Sequence, residues 1–239
     1  MTLSVENLKI KLFADGADLN GMLEMHAKSY IKGLTTNPTL MRKAGIRNYK
    51  EFATEVLSHI KDKPISFEVF SDDLEGMTQQ GYEIASWGQN VYVKIPISTT
   101  LGISTATVIE KLVQEGVKVN VTALMTAEQV QLVANALNPD VPSYVSVFAG
   151  RIADTGRDPV EIMTTSLKIL GTNKNAELIW ASPRELLNVF QAESIGCHVI
   201  TATNDIIKKL TLLNKDLQEY SLETVQMFFN DAMSAGFKI

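Results

Sequence analysis

The sequence holds one cysteine, Cys197, three histidines and no long uninterrupted apolar run in 239 residues. A lone cysteine closes no intramolecular disulfide. The opening MTLSVENLKIKLFADGAD also has no apolar stretch of the signal-peptide kind, so the chain is expected to work in the cytoplasm. The longest apolar segments, such as VYVKIPI, fall short of the roughly 18 residues that span a bilayer and are broken by charge or proline. No membrane partner is expected. Net charge is −5 with no accumulation of basic residues on one segment, which argues against nucleic acid as a partner. His26, His59 and His198 are scattered and there is no second cysteine, so no metal site is expected. No GxGxxG turn marks a dinucleotide site, and no cofactor is expected.

What the chain does have is enough apolar material to fold. With 45% hydrophobic and 21% charged residues, a chain of this length buries about 70–75% of its unfolded surface without a disulfide or metal, which excludes intrinsic disorder. Short apolar runs alternate with amphipathic stretches. Strands are expected near residues 9–15, 32–36, 65–70, 91–95, 117–122, 143–148, 176–181 and 197–201. Helical patterns lie between them, one opened by Thr126 with Gln129 three residues on, the signature of a capping box. The repeat recurs about every 27 residues, which suits a strand, a helix and two short loops. Eight such units predict an α/β fold, a single (β/α)8 TIM barrel over residues 1–239 with an additional C-terminal helix over residues 221–237. That helix is expected to pack on the barrel or on a neighbouring subunit. A doubly wound open sheet is the alternative architecture.

Residues two apart on a strand share a face, and in a barrel the inner face reaches the active-site end. On the fifth strand Val117, Val119 and Val121 oppose Lys118, Asn120 and Thr122; on the sixth, Val145 and Val147 oppose Tyr144, Ser146 and Phe148. The third and fourth strands set Glu68 and Lys94 opposite Phe67, Val69, Val93 and Ile95. The inward polar set is therefore Glu68, Lys94, Asn120, Thr122 and Ser146, to which the ends of the first two strands add Asp15, Thr36 and Asn37. Lysine is almost never fully buried unless paired, so Lys94 inside an apolar strand needs a reason. One is a structural ion pair with Glu68 or Asp15. The other is a desolvated amine that attacks carbonyls, with the two carboxylates moving protons, since no histidine lies on these strands.

The segments GLTTNPTLM (33–41), VKIP around Lys94, NVTALMTAEQ (120–129) and SVFAGRIAD (146–154) resemble the motifs of the transaldolase family of class I aldolases, in order and each in its expected strand. The resemblance implies a Schiff base between Lys94 and the C2 carbonyl of a ketose phosphate. It implies that Asp15 takes the C4 hydroxyl proton and that Glu68 and Thr122 handle the catalytic water. Asn37, Asn120 and Ser146, beside Thr36, would hold the dihydroxyacetone unit, and Arg151, Ser182 and Arg184 the phosphate, for which guanidinium forks are suited.

Glu68 and Phe148 resemble the transaldolases, whereas the related fructose-6-phosphate aldolases carry glutamine and tyrosine there. Phe148 has no hydroxyl to protonate an enamine carbon, which favours transfer to an aldose phosphate. Release of free dihydroxyacetone is the alternative, and a non-catalytic sugar-phosphate-binding barrel a third. The implied setting is carbohydrate metabolism through the pentose phosphate pathway, in a homo-oligomer whose terminal helix packs on a neighbour. The first strand departs from the family in reading Ala14, Asp15, Gly16 instead of leucine, aspartate, threonine, so a hydroxyl beside the base is expected to be missing and the turn looser. Pro183 stands between Ser182 and Arg184, where the family often has an aromatic residue. The triplet Asp154, Thr155, Gly156 matches that of aspartic proteases but occurs once and is expected to be a turn.

Overall fold

Strand-length apolar alternation, repeated eight times, closes into a parallel barrel in sequence order in the computed structural model, which describes residues 4–238. The strands are β1 (Lys11–Asp15), β2 (Ile31–Thr35), β3 (Ile65–Glu68), β4 (Val91–Pro96), β5 (Val119–Leu124), β6 (Ser143–Val147), β7 (Ala176–Trp180) and β8 (Val199–Thr203), with β1 pairing β8. Residues 1–3 and 239, the ends of the expected domain, lie outside the described residues.

The helices are α1 (Leu19–His26), α2 (Pro38–Lys43), α3 (Tyr49–His59), α4 (Leu74–Ala85), α5 (Ala106–Gln114), α6 (Ala127–Ala136), α7 (Ala149–Asp154), α8 (Pro159–Leu170), α9 (Leu187–Ser194), α10 (Asn204–Lys208) and α11 (Leu217–Ser234). The Thr126–Gln129 capping box is formed in full at α6. Two short helices, α2 and α7, were not expected from the periodicity. Each is six residues long, too short for an amphipathic period to declare itself. Asp154, Thr155 and Gly156 form the end of α7, with Gly156 at φ 79°, so the expected turn is a helix terminus.

The barrel wall separates two apolar regions. Outside it, Val119, Val121, Val145, Val147 and Trp180 pack with the helices in the larger core. Inside it, Phe13, Tyr144, Ile179 and Val199 fill the end opposite the polar side chains. Phe13 and Tyr144 meet edge to face at 5.5 Å, and Tyr92 stacks tilted on Tyr144 at 4.4 Å. The plug depends on Gly33, because a Cβ there would lie 2.5 Å from the Phe13 ring. Truncating such a buried aromatic costs about 3–5 kcal/mol.

The β2–β3 seam is short, with register pairs only at Leu34↔Ile65 and Thr35↔Ser66. α11 starts one turn earlier than expected, where the Asp216 carboxylate accepts from the amides of Gln218 and Glu219. It buries none of its residues, and Val225, Phe228, Phe229 and Met233 are all exposed. Among the described residues no helix is long and apolar enough to cross a membrane.

Candidate active site

Register brings the charged side chains together. Glu68 stands opposite Lys94 on β3 and β4, and Lys94 opposite Asn120 on β4 and β5, so three inward residues share one level at the carboxyl ends of the strands. Lys94 is only 7% exposed between Val93 and Ile95. Its Nζ donates to the Thr36 carbonyl at 3.0 Å and lies 3.3 Å from Glu68 Oε2.

Asp15 ends β1, in register with Thr35 on one side and Thr203 on the other. Burial pushes its carboxyl above the ordinary carboxylate range, against the pull of the Lys94 charge and of hydrogen bonds from Thr35 and Asn37. Thr35 Oγ1 donates to Asp15 Oδ1 at 2.8 Å and meets Thr201 Oγ1 at 2.6 Å. Asn37 Nδ2 donates to Asp15 Oδ2 at 3.0 Å, while Asn37 Oδ1 accepts the Leu40 amide at 2.9 Å and caps α2, which has proline at its first position. One side chain thus starts a helix and holds a carboxylate.

These contacts correct one expectation. The hydroxyl expected to be missing beside Asp15 is present, supplied across the β1–β2 seam by Thr35 instead of from position 16. The Gly16 amide donates to the Thr35 carbonyl at 3.0 Å, and a Cβ there would touch only Met22, at 3.8 Å. Thr36 contributes its backbone, since its buried hydroxyl turns away to the Ser66 carbonyl at 2.9 Å.

Opposite Asp15, Ser146 Oγ donates to Asn120 Oδ1 at 2.7 Å and Asn120 Nδ2 to Ser66 Oγ at 2.9 Å, which fixes the amide orientation. Thr122 lies within the register irregularity between Val121 and Leu124, where Ala123 takes φ 65°. Its Oγ1 is buried with no hydrogen-bond partner among the described residues. Such an orphan is costly unless something in the cavity pairs with it.

Phe148 and α7 form the next wall, with the Arg151 guanidinium 5.7 Å from the Phe148 ring centroid. Ser182 follows β7 at φ 59°, and its carbonyl approaches α7 so closely that a Cβ on Gly150 would lie 1.6 Å from it. That position admits only glycine. Arg184 stands apart: its Nε donates to Asp154 Oδ1 at 2.9 Å and its Nη2 pairs with Oδ2 of the same carboxylate.

A cavity of about 390 Å³ joins these groups. Of the residues expected from the sequence, Asp15, Asn37, Glu68, Lys94, Asn120, Thr122, Ser146, Phe148, Arg151 and Ser182 line it, and Thr36 and Arg184 do not. Thr35, Thr201 and Thr203 line it as well and were not anticipated. The parity of β2 carried the signal for Thr35, two residues after Gly33. Strand β8, by contrast, was expected to end at residue 201, which hid Thr203.

The sequence profile described as transaldolase/fructose-6-phosphate aldolase matches residues 12–239. A probable transaldolase of Thermoanaerobacter sp. (strain X514) is 36% identical over 231 residues, covering 96% of this chain and 100% of the relative. One from Methanococcus maripaludis (strain C5 / ATCC BAA-1333) is 35% identical over 202 residues, 84% of this chain and 89% of that protein. Among solved structures, 3-hexulose-6-phosphate synthase from Salmonella typhimurium superposes with a TM-score of 0.59 at 16% identity, over 84% of this chain and 91% of that one. At that identity the likeness shows the barrel alone. The profile match and the near full-length relatives, taken with the cavity, show that this chain belongs to the transaldolase/fructose-6-phosphate aldolase family.

Proposed function

We propose that the protein is a transaldolase that moves a dihydroxyacetone unit from fructose 6-phosphate or sedoheptulose 7-phosphate to an aldose phosphate through a Schiff base on Lys94. The observation that carries this is Lys94 on the wall of a cavity with one carboxylate, Glu68, at 3.3 Å and a second, Asp15, held by neutral donors. A structural ion pair explains Glu68. It explains neither the half-buried Asp15, held by Thr35 and Asn37, nor the Thr122 hydroxyl, which has no partner among the described residues.

In this reading the neutral Lys94 amine adds to the C2 carbonyl, and the carbinolamine loses water with Glu68 and Thr122 moving the protons. Asp15 takes the C4 hydroxyl proton as the C3–C4 bond breaks, and its electron pair passes into the iminium to leave an enamine. The aldehyde departs. An acceptor aldehyde then takes the enamine carbon, Asp15 returns the proton, and water releases the product. Asn37, Asn120 and Ser146 hold the three-carbon hydroxyls. Arg151 and Ser182 receive the phosphate, and Arg184 joins them only by leaving Asp154.

Phe148 on the cavity wall brings no hydroxyl to the enamine carbon, which favours transfer over release of dihydroxyacetone. The exposed apolar residues of α11 support assembly with further copies of the chain, and the activity belongs to cytoplasmic carbohydrate metabolism. The test is intact mass after fructose 6-phosphate and borohydride, with erythrose 4-phosphate added to a parallel sample before the reductant. A dihydroxyacetone adduct on Lys94 that disappears with the acceptor supports transfer. An adduct that the acceptor does not remove points to cleavage, and no adduct at all overturns the imine.

A further inference from the structure

Strand β3 reaches Glu68 without a neighbour on one side. Its pairing with β2 stops at Thr35↔Ser66, apart from the Thr36 amide donating to the Ser66 carbonyl at 3.3 Å, because β2 turns away to begin α2 at Pro38. On the other side the β4 ladder continues, with the Val69 amide donating to the Lys94 carbonyl at 3.0 Å. The Glu68 amide and carbonyl that a longer β2 would have paired are therefore orphans of the ladder.

A single hydroxyl takes both. The Glu68 amide donates to Tyr49 Oη at 2.7 Å, and Tyr49 Oη donates to the Glu68 carbonyl at 3.1 Å. Tyr49 opens α3, and its ring is wedged among Phe67, Phe70 and Trp87 at centroid distances of 6.1, 4.7 and 5.4 Å. Burial pushes its phenol upward, so the hydroxyl keeps its proton and stays a donor through the neutral range. A donor and an acceptor on one atom reproduce what a strand residue offers.

We infer that Tyr49 is a positioning residue for the proposed reaction: by standing in for the missing strand it fixes the backbone from which Glu68 reaches Lys94. The inference rests on the role proposed for Glu68. A packing role alone needs the ring, and phenylalanine supplies that. The hydroxyl is needed only to hold Glu68.

The experiment compares the protein with Tyr49→Phe, Glu68→Gln and the double variant in single-turnover trapping by borohydride with fructose 6-phosphate. The trapping rate constant is read separately from the amplitude, so a partly unfolded sample lowers the second and not the first. Tyr49→Phe is expected to slow trapping and kcat by about ten- to a hundredfold with KM changed less than threefold. The double variant is expected to be no slower than Glu68→Gln. If Glu68→Gln is slow while Tyr49→Phe traps at the parent rate, or if the two losses multiply in the double variant, Tyr49 does not act through Glu68 and this inference falls alone. If Glu68→Gln itself traps at the parent rate, the role proposed for Glu68 falls and the inference falls with it.

Discussion

Glu68 and Lys94 face each other from adjacent strands, register partners with Oε2 3.3 Å from Nζ, and both side chains are largely out of water. Removing one member of such a pair leaves the other buried and uncompensated, which costs about 3–5 kcal/mol, whereas replacing both with neutral groups can be close to neutral. Lys94→Met should therefore lower the melting temperature, and adding Glu68→Gln should recover much of the loss. Turnover should fall by at least about a thousandfold in both variants, since neither keeps the proposed nucleophile. Thermal melts and a coupled assay check this. Unchanged turnover in folded Lys94→Met would end the imine mechanism.

Asp15 gives a pH signature. Because burial raises its carboxyl, the folded chain holds a proton there more tightly than the unfolded chain does. Between the unfolded and folded values the native state binds more protons, so stability falls as pH rises through that window, and the penalty persists above it. Asp15→Asn should therefore melt higher than the parent at neutral pH, with the difference closing toward acid as pH drops to roughly 3.9, the unfolded carboxyl value. The same variant should lose about a hundred- to ten-thousandfold in turnover as the proposed base disappears. Paired melting curves from pH 4 to 8 measure the first effect. A parent that gains on Asp15→Asn as pH rises contradicts the assignment.

Arg151 and Arg184 should part company. Arg151 lines the cavity, and Arg184 is bound to Asp154 outside it. A hydrogen bond to a charged group is worth about 1.5–3 kcal/mol, so Arg151→Ala should raise KM for fructose 6-phosphate by roughly ten- to a hundredfold. Arg184→Ala should change it by less than about threefold, as expected of an exposed pair. Equal losses in the two variants would mean that the Asp154 contact opens when phosphate arrives.

Sequence patterning carried the barrel and most of the residues that line the candidate cavity because both depend on local regularities. Period-two alternation marks a strand face whatever the chain packs against, and a lysine or carboxylate on that face must point at the interior; Lys94, Glu68, Asn120 and Ser146 were legible for that reason. The family motifs extended the list to Arg151 and Ser182. Neither approach reaches contacts that depend on where a strand stops. Thr35 became the hydroxyl beside Asp15 through the β1–β2 register. Tyr49 came to hold Glu68 because β2 leaves the sheet early, and Arg184 left the cavity because α7 presents Asp154 beside it. What the sequence determined by itself was which residues face inward, since side-chain direction follows from backbone period. Which of those residues touch, and which atom completes an unfinished ladder, was decided only when register and loop paths put distant segments within hydrogen-bond reach.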